Sequence, residues 1–312
     1  MAKQVTNKLF EGGLEVDVLE RDEGIGAKRC KKNPGHKHFI PCKDFTINHL
    51  PVQYRDVRVY LLIQWLIRLT VMITVGFVSE KRPDFYPGTE QAYPASGKKG
   101  KSVNMKGSGK VCKVTKFSEK DNRTCECRSC KNSTEPKKIW GVINIFTATH
   151  VVHDDSEVKS SVCTFDFDRE GSVVVELQAE ALVRASAEKD WCRLSCVTHD
   201  VEMLQKLEHA LEKFDECCQK VQDIFQPITD EDNLTVIVSH PHGIPKRVSI
   251  GEWKVKVRDE RCGDHTYSYT TPTCGGSSGA YVYILGGGKQ SYDYLHKGCS
   301  ESNYCTKGWE TL

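Results

Sequence analysis

The pattern of apolar and polar positions separates a weakly patterned beginning from a β-rich remainder. Up to about residue 50 the chain shows little periodicity. Later, short runs of β-branched and aromatic residues are separated by polar turns. These runs cover residues 140–152, 162–167, 173–177, 234–239, 247–257 and 280–285. Many short strands without alternating helices predict an antiparallel barrel or sandwich.

One segment follows a helical pattern instead. Between residues 201 and 225, apolar side chains recur at steps of three and four positions. They are Leu204, Leu207, Leu211, Phe214, Cys218, Val221 and Phe225. This spacing predicts an amphipathic helix. We expect its apolar face to pack on the barrel, and docking of a partner is the alternative.

The most hydrophobic stretch, residues 57–78, has Arg68 near its middle. A charged side chain is costly at the centre of a bilayer, so we interpret the stretch as buried strands and not as a membrane span. The next segment, residues 82–109, is rich in proline, glycine and lysine. It is therefore expected to be an irregular connection.

Charge and composition exclude several partners. The chain has 44 basic and 42 acidic residues, a formal net charge of +2. No overall field attracts nucleic acid or an anionic membrane, and we expect neither as a partner. An apolar leader is missing from the first residues, so a cytoplasmic location is expected. Three glycosylation sequons, at Asn122, Asn132 and Asn233, leave secretion open.

A turn of small residues, Thr-Cys-Gly-Gly-Ser-Ser-Gly at 273–279, precedes an apolar strand. A nucleophilic serine needs such a turn, because glycines let backbone amides point at the oxygen that becomes negative during acyl transfer. Ser278 would be the nucleophile, and the amides of Gly276 and Ser278 would form the oxyanion hole. Taken alone, the same residues are also typical of a flexible turn.

His150 stands at the end of an apolar run in the motif Thr-Ala-Thr-His. With the Gly-Ser-Ser-Gly motif, the chain here resembles the trypsin-like serine proteases of the chymotrypsin fold (PA clan), whose motifs are Thr-Ala-Ala-His and Gly-Asp-Ser-Gly-Gly. The resemblance implies a third catalytic residue between the two, just before a buried strand. Asp190 fits this position. Asp166 and Asp168 are alternatives, although they lie only 16 and 18 residues after His150.

The resemblance implies a mainly β fold of two six-stranded antiparallel barrels, with an inserted amphipathic helix and a β-containing N-terminal extension. The extension would cover residues 1–80 and the protease domain residues 81–312. Within that domain the first barrel would lie at about 105–185, the helix at about 200–225 and the second barrel at about 232–312. The implied activity is a serine endopeptidase whose partner is a protein or peptide substrate.

Further motifs refine this resemblance. The His-Pro-His-Gly-Ile-Pro segment from residue 240, followed by Val-Ser-Ile-Gly, is similar to the second-barrel hairpin of HtrA-like members. A hairpin turn accounts for His240 and His242 better than metal binding does. Ser277 replaces the aspartate that pairs with a freed N-terminus in trypsin-like zymogens. Activation by that ion pair is therefore not expected.

The specificity pocket should lie beside Ser278. Pro272 stands where trypsin has an acidic residue, which disfavours lysine or arginine before the scissile bond. Thr273 and His296 resemble the threonine and histidine that line the pocket of glutamate-specific and viral 3C-like proteases. The resemblance implies a preference for glutamate or glutamine. A surface turn is the other interpretation of His296.

Cysteine usage leaves one further possibility. Cys125, Cys127 and Cys130, with Cys112 nearby, have a spacing that suits zinc, but the sequence offers no fourth ligand or second Cys-x-x-Cys pair. We therefore predict no cofactor, and peptidase activity that is insensitive to chelators. The alternatives are a catalytically inactive protease-like module that binds peptides or proteins, and a metal-binding interaction protein built on these cysteines.

Overall fold

The computed structural model describes residues 17–18, 30–87, 90–229, 231–258, 265–287, 292–298 and 303–310. Of residues 17–18, 292–293 and 306–310 it describes the backbone alone. The described part is mainly β, with its strands in two antiparallel sheets.

The first sheet contains a closed barrel. The seven strands of this sheet are β1 (Asp17–Val18), β3 (Thr70–Phe77), β4 (Ser102–Phe117), β5 (Trp140–Thr147), β6 (Ser161–Phe165), β7 (Val175–Ser186) and β8 (Trp191–Thr198). They lie in the order β1-β4-β3-β6-β7-β8-β5, and β4 also pairs with β5. This second pairing of β4 closes six strands into a barrel, with β1 added outside it.

The second sheet curls without closing along its length. Its strands are β2 (Ile40–Pro41), β9 (Leu234–Ser239), β10 (Arg247–Arg258), β11 (His265–Tyr269), β12 (Val282–Ile284), β13 (Tyr292–Gly298) and β14 (Asn303–Glu310). The main order is β12-β9-β10-β11-β14-β13, and β2 pairs with β10. An isolated bridge between Tyr281 and Leu295 joins its two edges at one end.

Two long helices cover the junction of the sheets. The helices are α1 (Val57–Leu69), α2 (Arg128–Lys131), α3 (Asp155–Val158) and α4 (Val201–Ile224). Asp200 caps α4 by accepting a hydrogen bond from the Met203 amide at 2.9 Å. The buried face of α4, including Leu204 and Phe214, belongs to one hydrophobic core with α1 and both sheets. Each large side chain buried there contributes about 1.5–3 kcal/mol. The predicted helix is confirmed, and its apolar face is covered by the protein itself.

Two local predictions were wrong. Residues 57–69 form α1 and not a strand, although β3 follows directly. Residues 102–109, expected to be irregular, open the long strand β4. The first sheet also includes residues 70–77, which the sequence analysis assigned to the N-terminal extension.

In the described part of the chain, every helix is too short or too polar to cross a membrane.

The predicted fold class is confirmed in its main features. A mainly β chain, a closed six-stranded antiparallel barrel and an added amphipathic helix are all present. The arrangement is consistent with a chymotrypsin-like fold. The second barrel differs from the prediction, because within the described residues it is a curled, half-closed sheet.

Candidate active site

His150 lies in the tight turn that follows β5. The amides of Val151 and Val152 both donate to the Ala148 carbonyl, at 3.1 and 3.2 Å, so the chain reverses directly after the strand. The imidazole is fully buried. Its Nδ1 atom lies 2.7 Å from Asp190 Oδ2.

Asp190 directly precedes β8, and its φ of 53° is left-handed. Its side chain bonds to the His150 turn. Its Oδ1 accepts hydrogen bonds from the His150 amide at 2.9 Å and from Thr149 Oγ1 at 2.7 Å. Burial acts to raise the pKa of Asp190, but the charges of His150 and Lys297 and the hydrogen bonds outweigh it and hold the pKa below its ordinary value. An ionised carboxylate can only accept, so Nδ1 of His150 is the donor. Whenever the ring is neutral, Nε2 therefore carries the lone pair.

The two alternative aspartates lie elsewhere. Asp168 forms an ion pair with Lys246, with 2.9 Å between Oδ1 and Nζ. Asp166 occupies a left-handed turn with φ of 58°. In the described ranges, neither carboxylate contacts His150.

A buried ion pair between Arg82 and Glu157 also holds the His150 turn. Arg82 donates from Nε and Nη2 to the two carboxylate oxygens of Glu157, at 2.7 and 2.8 Å. Both side chains are fully shielded from solvent. Arg82 also donates to the carbonyls of His150 at 2.9 Å and Val151 at 3.1 Å. The sequence analysis missed this pair, because a lone arginine in a proline-rich segment carries no local signal.

Lys297 of β13 reaches from the second sheet to the same carboxylate. Its Nζ lies 3.7 Å from Asp190 Oδ2 and donates to the Lys189 carbonyl at 2.8 Å. Burial lowers the pKa of Lys297, and the nearby Asp190 opposes that shift. This lysine was also missed. It makes Asp190 a point of contact between the two sheets.

The Ser278 turn is tied to the first sheet through Ser108 of β4. The Ser108 amide donates to the Ser278 carbonyl at 2.9 Å, and its Oγ donates to the Gly276 carbonyl at 2.8 Å. Ser277 turns its hydroxyl inward, 3.0 Å from Ser239 Oγ. The Ser278 side chain is nearly fully buried.

Gly279 places this turn against the end of the His150 strand. A Cβ atom on Gly279 would lie 2.2 Å from Thr147 Oγ1 and 3.0 Å from the Ala148 nitrogen, and φ there is +79°. Only glycine fits so close an approach in that conformation. The Ser278 turn and the His150 turn are therefore neighbours across the junction of the two sheets.

Within the described residues, no hydrogen bond joins the side chains of His150 and Ser278. His150 Nε2 is buried and has no hydrogen-bond partner among the described residues. Catalytic hydrogen bonds are commonly long in substrate-free enzymes and shorten only in the complex.

Gly276 has a left-handed backbone conformation that favours glycine. Its φ is +85°, and a Cβ there would lie 2.4 Å from the His240 carbonyl. In the part of the chain that the structure describes, no carbonyl accepts from the Gly276 amide. That amide remains available to a ligand.

Thr273 and His296 both lie close to Asn303 of β14, next to the Ser278 turn. Thr273 Oγ1 donates to Asn303 Oδ1 at 2.7 Å, and Lys32 Nζ donates to the same oxygen at 2.8 Å. A Cβ on Gly298 would lie 2.8 Å from His296 Nε2 and 3.4 Å from Asn303 Oδ1. A side chain at residue 298 would therefore clash with the His296 ring. Pro272 is half-buried next to Thr273.

His296 is a buried, neutral imidazole. Its Nδ1 lies 2.5 Å from the Tyr269 hydroxyl, which lies 3.0 Å from the Tyr304 carbonyl. Burial, and then the charges of Lys32 and His150, lower its pKa well below the ordinary value. Nε2 has no hydrogen-bond partner within the described ranges. The surface-turn interpretation of this residue was wrong, since it lies buried within β13.

Among the described residues, two groups of side chains could hold a metal ion. The first, called here the Cys125 cluster, joins Cys125, Cys127 and Cys130 to His199, which directly follows β8. His199 Nε2 lies 3.2 Å from Cys125 Sγ, 3.5 Å from Cys130 Sγ and 3.9 Å from Cys127 Sγ. The sequence lacked a fourth ligand for these cysteines, and the fold supplies it. Cys112 is not a member of the group, and its thiol faces the Asn144 carbonyl.

The second group, called here the Cys30 cluster, contains Cys30, His36, His242 and Cys274. The sequence analysis attributed His242 to a hairpin turn and did not connect it to any cysteine. His242 does lie in that turn, and the turn carries it to the other three side chains. His240 points elsewhere, with Nδ1 3.0 Å from the Ile244 carbonyl.

Comparison with known proteins finds likeness in structure alone. No family model and no curated protein sequence matches the chain. Deg5 matches at 11% identity and a TM-score of 0.39, over 78% of this chain and 86% of that one. The HtrA-type protease AlgW with a decapeptide matches at 11% identity and a TM-score of 0.41, over 80% and 63% of the two chains. The Rv3671c protease from M. tuberculosis in its active form matches at 12% identity and a TM-score of 0.39, over 80% of each chain.

Proposed function

We propose that this protein is a serine endopeptidase whose catalytic residues are His150, Asp190 and Ser278. The observation that carries the proposal is the buried His150–Asp190 pair beside the Ser278 turn, with 2.7 Å between Nδ1 and Oδ2. An ionised carboxylate at this distance fixes the ring tautomer, so Nε2 can take a proton. The partner is a protein or peptide substrate.

The reaction proceeds in two acyl-transfer steps. Ser278 Oγ attacks the substrate carbonyl while His150 Nε2 takes its proton, and Asp190 stabilises the imidazolium. The amides of Gly276 and Ser278 stabilise the oxyanion. His150 then gives the proton to the leaving amine, and the C–N bond breaks. Water, deprotonated by His150, next attacks the carbonyl carbon of the acyl-enzyme. His150 then returns the proton to Ser278 Oγ, the ester C–O bond breaks, and the carboxylic acid is released.

Labelling with a fluorophosphonate tests this proposal. The wild-type protein should become labelled at one serine, and Ser278→Ala should lose the label. Ser277→Ala is the matched control, because its hydroxyl faces Ser239 and it should still be labelled at residue 278. Folded wild-type protein that takes up no label would instead favour the protease-like module that binds peptides without cleaving them.

The pocket supports a preference for glutamine or glutamate before the scissile bond. A neutral His296 with Nε2 free of partners among the described residues offers one hydrogen bond to an uncharged side chain. A glutamine amide can pair with either tautomer, because it carries both a donor and an acceptor. Lys32, bonded to Asn303 in this pocket, adds a positive charge that suits glutamate and opposes lysine or arginine.

A single methyl group tests the pocket. In Gly298→Ala the new Cβ would meet His296 Nε2 at 2.8 Å, so selectivity for glutamine and glutamate should fall about 10- to 100-fold. Gly97→Ala is the control, since a Cβ there meets nothing within 4 Å. The measurement compares kcat/KM for peptides that differ only at the residue before the scissile bond. Faster cleavage after lysine or phenylalanine in the wild type would refute the preference.

The Cys125 cluster supports a second function, the binding of a structural zinc ion. A tetrahedral site with Zn–S of about 2.3 Å and Zn–N of about 2.0 Å separates sulfur and nitrogen ligands by roughly 3.5 Å. The three distances from His199, between 3.2 and 3.9 Å, lie around that value. His199→Ala should lose one zinc per chain, whereas His209→Ala, on α4, should not. Equal zinc content in both variants would remove this function.

A further inference from the structure

The Cys30 cluster joins two distant parts of the chain. Cys30 and His36 come from the segment before β2, whereas His242 and Cys274 belong to the second sheet's turns. The four ligand atoms all lie within 4.8 Å of one another. Cys274 Sγ is 3.3 Å from Cys30 Sγ and 3.5 Å from His36 Nε2. A tetrahedral zinc ion separates two sulfur ligands by about 3.8 Å and sulfur from nitrogen by about 3.5 Å, so small adjustments suffice.

Asn33 donates hydrogen bonds to the sulfur atoms of both cysteines. Its backbone amide donates to Cys30 Sγ at 3.3 Å, and its side-chain amide donates to Cys274 Sγ at 3.2 Å. Donors directed at both sulfurs favour thiolates, which are the form that binds metal. The same side-chain amide donates to the Thr273 carbonyl at 2.8 Å, which fixes its orientation.

The two histidines are also arranged as ligands. The rings of His36 and His242 stack, with 5.1 Å between centroids and 21° between planes. Two thiolates and two neutral imidazoles are a common donor set for structural zinc.

We propose that Cys30, His36, His242 and Cys274 bind a structural zinc ion that fastens the segment 30–36 to the turn carrying Ser278. Cys274 stands four positions before Ser278. The His242 amide donates to the Gly275 carbonyl at 2.6 Å, so two of the ligands flank the backbone that forms the oxyanion turn.

The ion also positions one wall of the substrate pocket. Lys32 lies between the ligands Cys30 and His36 in sequence, and its Nζ reaches Asn303 Oδ1 at 2.8 Å. Loss of the ion releases this segment and removes the lysine from the pocket. This effect on the active site rests on the proposed function, whereas the binding of zinc does not. Chelators are then expected to lower the activity, in contrast to the expectation from the sequence.

Zinc content of the full chain, measured by mass spectrometry after desalting, tests the site directly. His36→Ala should lose one zinc per chain relative to the wild type. His38→Ala is the matched control, because it lies two positions away with an exposed ring and should keep the wild-type content. Cobalt(II) in place of zinc should give a thiolate-to-metal absorption band that is weaker in His36→Ala and in Cys30→Ser. Zinc retained at the Cys125 cluster would show that these variants are folded.

The outcomes separate the two proposals. Equal zinc content in His36→Ala and His38→Ala overturns the site, as does a Cys30–Cys274 disulfide in protein purified under reducing, zinc-replete conditions. If His36→Ala loses zinc and about tenfold or more of its fluorophosphonate labelling rate, both the site and its role at Ser278 are supported. If zinc is lost while labelling is unchanged, the link to Ser278 is overturned. If the wild type binds this zinc but takes up no label, the zinc site survives and the peptidase proposal fails.

Discussion

The two sheets position their parts of the candidate site by different means. In the first, a closed barrel, Arg82 of the buried Arg82–Glu157 pair donates to the His150 carbonyl, and Asp190 bonds to the His150 side chain. In the second, the sheet closes at one end near Ser278, and side chains from elsewhere tie that end down. Ser108 comes from the first sheet, and Cys30 from the segment before β2. His150 is held mainly by residues of the first barrel and the turns beside it, whereas the Ser278 turn depends on contacts made between distant segments.

The largest expected effect tests the proposed role of the His150–Asp190 pair on the first barrel. Asp190→Asn should lower kcat about 10⁴-fold, because an amide cannot fix the required tautomer or stabilise the imidazolium. Peptide hydrolysis at saturating substrate measures it. Asp166→Asn is the control, and it should change kcat little. A similar loss in both variants would show that the base is not paired as described.

The next largest effect concerns the ion pair behind His150. Glu157→Gln leaves Arg82 buried beside a neutral partner, which should cost about 3–5 kcal/mol of the free energy of unfolding. Urea unfolding measures the change. The double variant Arg82→Met/Glu157→Leu removes both charges and should recover part of the loss. A cost of under about 1 kcal/mol in the single variant would mean that the pair does not hold the barrel.

A smaller effect is expected where the two sheets meet. Lys297→Met removes the hydrogen bond to the Lys189 carbonyl and the charge near Asp190, and should cost about 1.5–3 kcal/mol of the free energy of unfolding. The pKa of Asp190 should rise, since Lys297 helps to keep it low. The exposed Lys254→Met is the control. Equal stability in both variants would argue against a bridge between the sheets at this point.

The smallest effect is a dependence of stability on pH from the pocket of the second sheet. His296 has a folded-state pKa below its unfolded value of about 6.5, because burial, Lys32 and His150 disfavour its charge. Below pH 6.5 the unfolded state binds a proton that the folded state does not, so stability falls as the pH is lowered. The fall amounts to about 1.4 kcal/mol for each pH unit while folded His296 stays neutral. His296→Gln should flatten this slope. The exposed His38→Gln should leave it unchanged, and an unaltered slope in both would contradict a neutral His296.

Local patterns predicted much of the fold, but not all of it. The helical spacing after residue 200 gave α4 within one or two residues, and β9 lies where the short β-branched run at 234–239 predicted a strand. The same kind of signal was present in α1 and was overlooked, since Val59, Ile63, Leu66 and Ile67 are buried at helical steps. An almost continuous apolar run conceals its period, and packing against α4 is what selects the helix.

The sequence by itself determined helix α4, several strands such as β5 and β9, and the order in which His150, Asp190 and Ser278 occur. Those features depend on neighbours a few positions apart, where side-chain period and turn chemistry act directly. Tertiary structure alone decided that His199 joins Cys125 across 74 positions and that Cys30 meets Cys274 across 244. It also decided that Arg82 finds Glu157 across 75 positions. Such contacts leave no local pattern, because chain folding brings the partners together and each residue's neighbours in sequence are unaffected by them.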